Sequence, residues 1–135
     1  MTAHTRPLIH IVDDDDSMRM ALTELLTIVG FDAIGYGSTG EFLLNALPDQ
    51  HGCILLDIGL PGSSGLELQA ALLRKGVALP IIFLTGHADV SSSVRAMQAG
   101  AIGFLEKPVD RETLLEALGR ALTSDIVRRQ RPTSS

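Results

Sequence analysis

A chain of 135 residues with 45% hydrophobic side chains is long enough to bury the core of one domain without disulfides or a structural metal. Its single cysteine, Cys53 in the run CILLD, excludes an internal disulfide framework and a thiolate zinc cluster, and reads as a buried thiol in a reducing compartment. The net charge of −5 is uneven: residues 1–123 carry 8 basic and 15 acidic side chains, an unsuitable body for nucleic acid, whereas residues 124–135 set Arg128, Arg129 and Arg131 against Asp125.

No apolar run approaches the ~20 residues of a bilayer span. The opening MTAHTRPLIH lacks the charged start, apolar middle and small-residue cleavage site of a signal peptide, so the expected location is the cytoplasm, away from membrane.

In chain order, strand-length apolar runs alternate with helix-period stretches five times. The predicted strands are Leu8 to Asp13, Asp32 to Tyr36, Gly52 to Asp57, Pro80 to Thr85 and Ala101 to Leu105. LIHIV, CILL and IIFL are continuous rather than alternating, which suits a parallel sheet covered on both faces. The first helix carries Ala21, Leu22, Leu25, Leu26 and Val29 at helical spacing and stops at Gly30. A second follows Ser38 to about Leu47, before Pro48. A third follows Ser64, with Leu66, Leu68, Leu72 and Leu73 apolar, and ends near Gly76. The fourth follows GHAD with Val90, Val94 and Met97 ahead of Gly100. The fifth opens at Asp110 and runs through Leu114, Leu115, Leu118 and Leu122 toward SDIVRRQ. Five β-α units joined by right-handed crossovers predict a doubly wound α/β sandwich.

Ligands of such sheets sit beyond the carboxyl ends of the strands. There the sequence places Asp13 and Asp14, then Asp57, Thr85 and Lys107, separated by 43, 28 and 22 residues. Hard oxygen ligands converging on one rim suit Mg²⁺, or Mn²⁺ in its place. Each aspartate alone would read as a helix cap or a solvated charge; together at strand ends they predict a site. Asp15 and Asp16 of the run DDDD fall in the first turn of the following helix, where free N–H groups and the dipole favour carboxylates.

The ordered set VDDD, LLDIGLPGSSG, FLTGHAD and FLEKP resembles the receiver domain of bacterial two-component response regulators over about residues 7–123. HGCILLD, TGHADV and AMQAGAIGFLEKP are most similar to the FixJ and styrene-regulator group. The resemblance implies a five-stranded parallel sheet in the flavodoxin-like order 2-1-3-4-5. It implies that Asp57 accepts a phosphoryl group from a sensor histidine kinase, chemistry open to a carboxylate nucleophile. Asp13 and Asp14 match the acidic pair that holds Mg²⁺, and the backbone carbonyl of Gly59 matches the remaining ligand. Lys107, one of two lysines in the chain, matches the partner of the phosphoryl oxygens, followed by Pro108 across a bond that is often cis in this family. Thr85 matches the switch hydroxyl and Phe104 the switch aromatic; without the resemblance they would read as a β-branched strand residue and a core aromatic. Pro61 and Gly65 match turn residues that shape the loop after Asp57.

The implied catalysis is limited to the domain's own phosphorylation and dephosphorylation. Gly59 offers no side chain where many receivers carry a polar one, and His87 is shared with the FixJ-like subset; both positions bear on phosphate lifetime. His10 is expected to be packed in a strand, with His4 and His51 in loops.

Other phosphate chemistries fit less well. A haloacid-dehalogenase phosphatase needs an acid two residues after its nucleophile, where Gly59 stands. A flavodoxin would want a phosphate-cradling loop after the first strand and more aromatics than one tyrosine and no tryptophan, and VDDDDSM is the electrostatic opposite of a GxxxxGK[ST] loop. The expected organisation is an extension over 1–6, a receiver over 7–123, and the end of helix five with a linker over 124–135; the FixJ-like resemblance implies that the linker leads to a helix-turn-helix output domain that binds DNA and that phosphorylation makes a homodimer. The alternative is a stand-alone receiver that relays phosphate or binds a partner.

Overall fold

The computed structural model describes residues 6–45, 50–58, 65–86 and 90–130, the side chains of 90–93 apart. The elements are β1 (Leu8–Val12), α1 (Asp16–Val29), β2 (Asp32–Tyr36), α2 (Thr39–Asn45), β3 (Gly52–Asp57), α3 (Gly65–Arg74), β4 (Ile81–Thr85), α4 (Val90–Gln98), β5 (Gly103–Glu106) and α5 (Arg111–Gln130). The strands are all parallel in the order β2-β1-β3-β4-β5, as the resemblance implies.

Each helix starts and stops where local chemistry dictates. The Asp15 side chain accepts the Met18 amide at 3.2 Å to cap α1, and Gly30 closes it with a positive φ of 112° that side chains avoid. The Ser38 hydroxyl accepts the Glu41 amide ahead of α2, and the Asp110 carboxylate accepts the Thr113 amide to open α5.

The sheet separates two cores. Ile9, Ile11, Leu55, Ile82 and Leu84 point to one face and pack on Leu22 and Leu26 of α1 and on Leu114, Leu118 and Leu122 of α5. Val12, Ile54, Leu56 and Phe83 point to the other, against Phe42 of α2, Leu68 and Leu72 of α3 and Ala96 of α4. Each fully buried leucine or isoleucine contributes about 2 kcal/mol relative to exposure, enough in sum to hold strand ends together even where like charges meet.

Several apolar assignments shift. Ala21, Val29 and Leu73 face solvent, and on α4 the predicted stripe is displaced: Val94 and Met97 are exposed while Ala96 is buried. Among the described side chains of this short helix, residues 94–98, Ala96 alone is buried. The edge strand β2 is exposed at Asp32 and Ile34, unlike the buried β1, β3 and β4.

Candidate functional site

β1 delivers Asp13 to the carboxyl rim of the sheet. Its amide donates to the Tyr36 carbonyl at 3.0 Å, continuing the pairing with β2 by one residue. One carboxylate oxygen, Oδ1, accepts the Asp15 amide at 3.0 Å, and the other, Oδ2, accepts the Lys107 ammonium at 2.9 Å. Asp57 ends β3 one strand away and is also buried, whereas Asp14 lies exposed at the lip. One oxygen from each of Asp13, Asp14 and Asp57 lies within 4.8 Å of the others. Metal–oxygen distances near 2.1 Å put opposite ligands of an octahedral ion about 4.2 Å apart, so these three need close only slightly around Mg²⁺.

Lys107 is the cation of this cluster. Its Nζ lies 3.4 Å from Asp57 Oδ2 as well as 2.9 Å from Asp13 Oδ2. Burial works to lower its pKa, but the hydrogen bond and charge of Asp13, with the charge of Asp57, outweigh it and the net shift is upward. The side chain therefore stays an ammonium. The Lys107 amide donates to the Thr85 carbonyl at 2.7 Å, which ties its backbone to the end of β4; the Lys107–Pro108 bond is cis. Three carboxylates facing one ammonium leave an excess of negative charge, which favours a hard divalent cation.

Thr85 ends β4, buried beside this rim. Phe104, opposite Phe83 in the β4–β5 register, is half-buried, with the two ring centroids 6.3 Å apart. Gly65 is buried because α3 begins against the end of β3: a Cβ there would stand 2.8 Å from the Asp57 carbonyl oxygen and 2.9 Å from the Phe83 ring. Of the positions predicted from sequence, Asp13, Asp14, Asp57 and Lys107 are thus brought together, with Thr85 joined through the Lys107 backbone. Gly59, Pro61 and His87 lie outside the described residues.

Arg19 and Asp125 escape the sequence reading, whereas His10 is packed in its strand as expected and only its partners are new. Arg19 donates from Nη1 to the Asp13 carbonyl oxygen at 2.7 Å and pairs with Asp16. His10 is fully buried, its Nδ1 3.1 Å from the Tyr36 hydroxyl and its ring edge-on to Phe42; burial lowers its pKa to about 4. At the opposite end of the sheet, Asp125 is fully buried and receives the Gly52 amide at 3.0 Å, His51 Nδ1 at 2.5 Å, Arg129 Nε at 2.8 Å and the Arg128 guanidinium. Burial would raise the Asp125 pKa, but the bonds from Arg129, His51, Gly52 and Arg128 together lower it. The i+3 and i+4 arginines were a visible signal for this last cluster; the reach back to His51 was not.

The sheet order, the carboxylate rim and the lysine define a receiver domain, and the chain belongs to the response regulator receiver domain family, whose model matches residues 9–119. It is 44% identical over 128 residues to nodulation protein W of Bradyrhizobium diazoefficiens, covering 95% of this chain and 56% of that protein. It is 40% identical over 114 residues to the transcriptional regulatory protein FixJ of Azorhizobium caulinodans, covering 84% and 54%. Among solved structures, the response regulator StyR superposes with a TM-score of 0.88 at 43% identity, over 93% of this chain and 64% of that one. FixJ-N superposes at 0.82 and 37%, over 88% and 95%. The chain spans about half the length of the curated relatives it matches. Among the described residues no helix is long and apolar enough to cross a membrane.

Proposed function

We propose that this domain accepts a phosphoryl group on Asp57 from the phosphohistidine of a sensor kinase and uses it to switch its own surface. The observation that carries this reading is the meeting of Asp13, Asp14 and Asp57 within 4.8 Å, with the Lys107 ammonium on two of them. Asp13, Asp14 and Asp57, with the Gly59 carbonyl, would hold Mg²⁺ or Mn²⁺. When bound, the cation offsets the charge of the incoming phosphoryl oxygens. An Asp57 carboxylate oxygen attacks phosphorus as the phosphorus–nitrogen bond to the donor breaks, leaving an acyl phosphate on Asp57 and returning the electron pair to the imidazole. Lys107 neutralises a phosphoryl oxygen, and the Thr85 hydroxyl moves to donate to another.

Output follows on the face of α4, β5 and α5. Movement of Thr85 at the end of β4 frees space that the Phe104 ring fills, favouring one of two packings of α4. Val94 and Met97, exposed on α4, are the apolar contacts available for a second copy. In this reading residues 7–123 are the receiver. Residues 124–135, the end of α5 and a linker, lead to a helix-turn-helix domain that controls transcription, a role supported by relatives named as transcriptional regulators.

One experiment tests both steps: acetyl phosphate and Mg²⁺ are added to the parent, Asp57→Asn and Thr85→Ala, followed by intact mass and sedimentation. The parent gains one phosphoryl group and a larger dimer fraction. Asp57→Asn gains neither, and Thr85→Ala is labelled without the added dimer. Full labelling of Asp57→Asn overturns the acceptor, and undiminished dimerisation of labelled Thr85→Ala overturns the coupling.

A further inference from the structure

We propose that Arg19, its stem seated against Gly35, is the positioning residue that holds the β1–α1 turn in its cation-binding shape; this rests on the metal reading above. The Arg19 stem leaves the first turn of α1 and crosses the end of β2. A Cβ on Gly35 would lie 2.7 Å from Arg19 Cγ and 2.8 Å from Cδ, too close to keep the stem in place, whereas one on Gly37 would make ordinary contacts, 3.4 Å from Glu41 Oε2 and 3.6 Å from Arg19 Nη1. Gly35, inside β2, therefore clears the space that the side chain crosses. Glycine inside a strand costs β-propensity, and the Arg19 stem explains Gly35.

At the end of the stem the guanidinium divides its donors. Nη1 binds the main-chain carbonyl of Asp13 at 2.7 Å, and Nη2 pairs with the Asp16 carboxylate. Neither bond draws on a carboxylate of Asp13, Asp14 or Asp57. A planar fork can tie the start of the turn to the first residue of α1, fixing Asp14 between the two points. Lysine carries all its donors on one nitrogen and lacks that fork. The same pairing offsets the charge on Asp16, the acidic neighbour outside the cluster.

The sign of the effect separates this role from simple electrostatics. Removing a positive charge near a cation site strengthens cation binding by Coulomb's law alone, whereas losing the brace weakens it. Calorimetric titration of MgCl₂ into the parent, Arg19→Ala, Arg19→Lys and Gly35→Ala measures the difference, with the urea midpoint of each metal-free protein alongside. Gly35→Ala keeps every charge and displaces the Arg19 stem. The expected result is a Mg²⁺ affinity about tenfold lower in Arg19→Ala and Gly35→Ala, the lower end of what partners of metal ligands contribute, with Arg19→Lys in between. Unchanged or tighter binding in Arg19→Ala, or unchanged binding in Gly35→Ala, overturns the proposal, as does a lowered urea midpoint with the parent's affinity. If the parent binds no Mg²⁺, the metal reading falls and this inference with it; if all four proteins bind alike, only the positioning role falls.

Discussion

The two ends of the sheet treat buried carboxylates in opposite ways. At the base, one aspartate, Asp125, is surrounded by donors: an amide, an imidazole and two guanidinium groups. At the rim, three aspartates cluster and the Lys107 ammonium meets two of them, Asp13 and Asp57. A carboxylate whose hydrogen bonds are all met by the protein is a joint, here fastening the last turns of α5 to the start of β3. A cluster of three carboxylates with one ammonium drawn to two of them is suited to a cation from outside. The same strand, β3, runs from one to the other, with Gly52 at the joint and Asp57 at the rim.

The contrast breaks first at the base. Asp125→Ala removes the hub of four donors, and because His51, Arg128 and Arg129 are partly exposed and can return to water, the expected loss is about 3 kcal/mol, the lower end for a broken buried pair. Urea denaturation with and without Mg²⁺ measures it, and the loss is the same in both. A loss that Mg²⁺ repairs would mean that the base is no separate joint.

Acid provides the next test, between the two ends. His10 has a folded pKa of about 4 against an unfolded value near 6.5, so the unfolded chain binds the extra proton in that window and stability falls as pH drops through it. At pH 5 the cost is about 2 kcal/mol relative to pH 7. The slope between pH 6.5 and pH 4 is largely absent from His10→Phe, whatever the absolute stability of that variant; an equal slope in both proteins would place the acid sensitivity elsewhere. Asp125 acts lower, since its folded pKa is lowered and its contribution fades only as pH falls below the ordinary aspartate range.

The smallest effects belong to the rim and carry opposite signs. Lys107→Met leaves Asp13 and Asp57 without their cation and costs between about 1 and 2 kcal/mol in metal-free protein, less than a fully enclosed pair because the lip is open to water. Mg²⁺ restores part of it. Asp14→Asn relieves repulsion instead, so its metal-free melting temperature rises slightly while Mg²⁺ binds more weakly. A melting temperature that falls in Asp14→Asn, with affinity unchanged, would contradict the idea of an unbalanced cluster.

The rim was largely legible in the sequence because its parts are fixed by strand ends. Continuous runs such as LIHIV and CILL locate the strands, and the first polar residue past each locates Asp13, Asp57 and Thr85 without knowledge of side-chain packing. The arrangement of α4 was not legible: Val94 and Met97 have helical spacing, but Ala96 is what the sheet admits, and residue size against a neighbouring surface decides that. Asp125 and Arg19 were missed for a related reason. Their partners lie across the fold or on the main chain, at Gly52, His51 and the Asp13 carbonyl, where no pattern of residue types marks an acceptor or donor.

The most direct test of the contrast is a Mg²⁺ titration followed by amide chemical shifts over the whole domain. The predicted result is saturable movement at residues 13–16, Asp57 and Lys107, with the amides of His51, Gly52 and residues 125–129 unmoved. Shifts at the base equal to those at the rim, or a rim that does not respond at millimolar Mg²⁺ (about the range of weak carboxylate sites), would contradict the account.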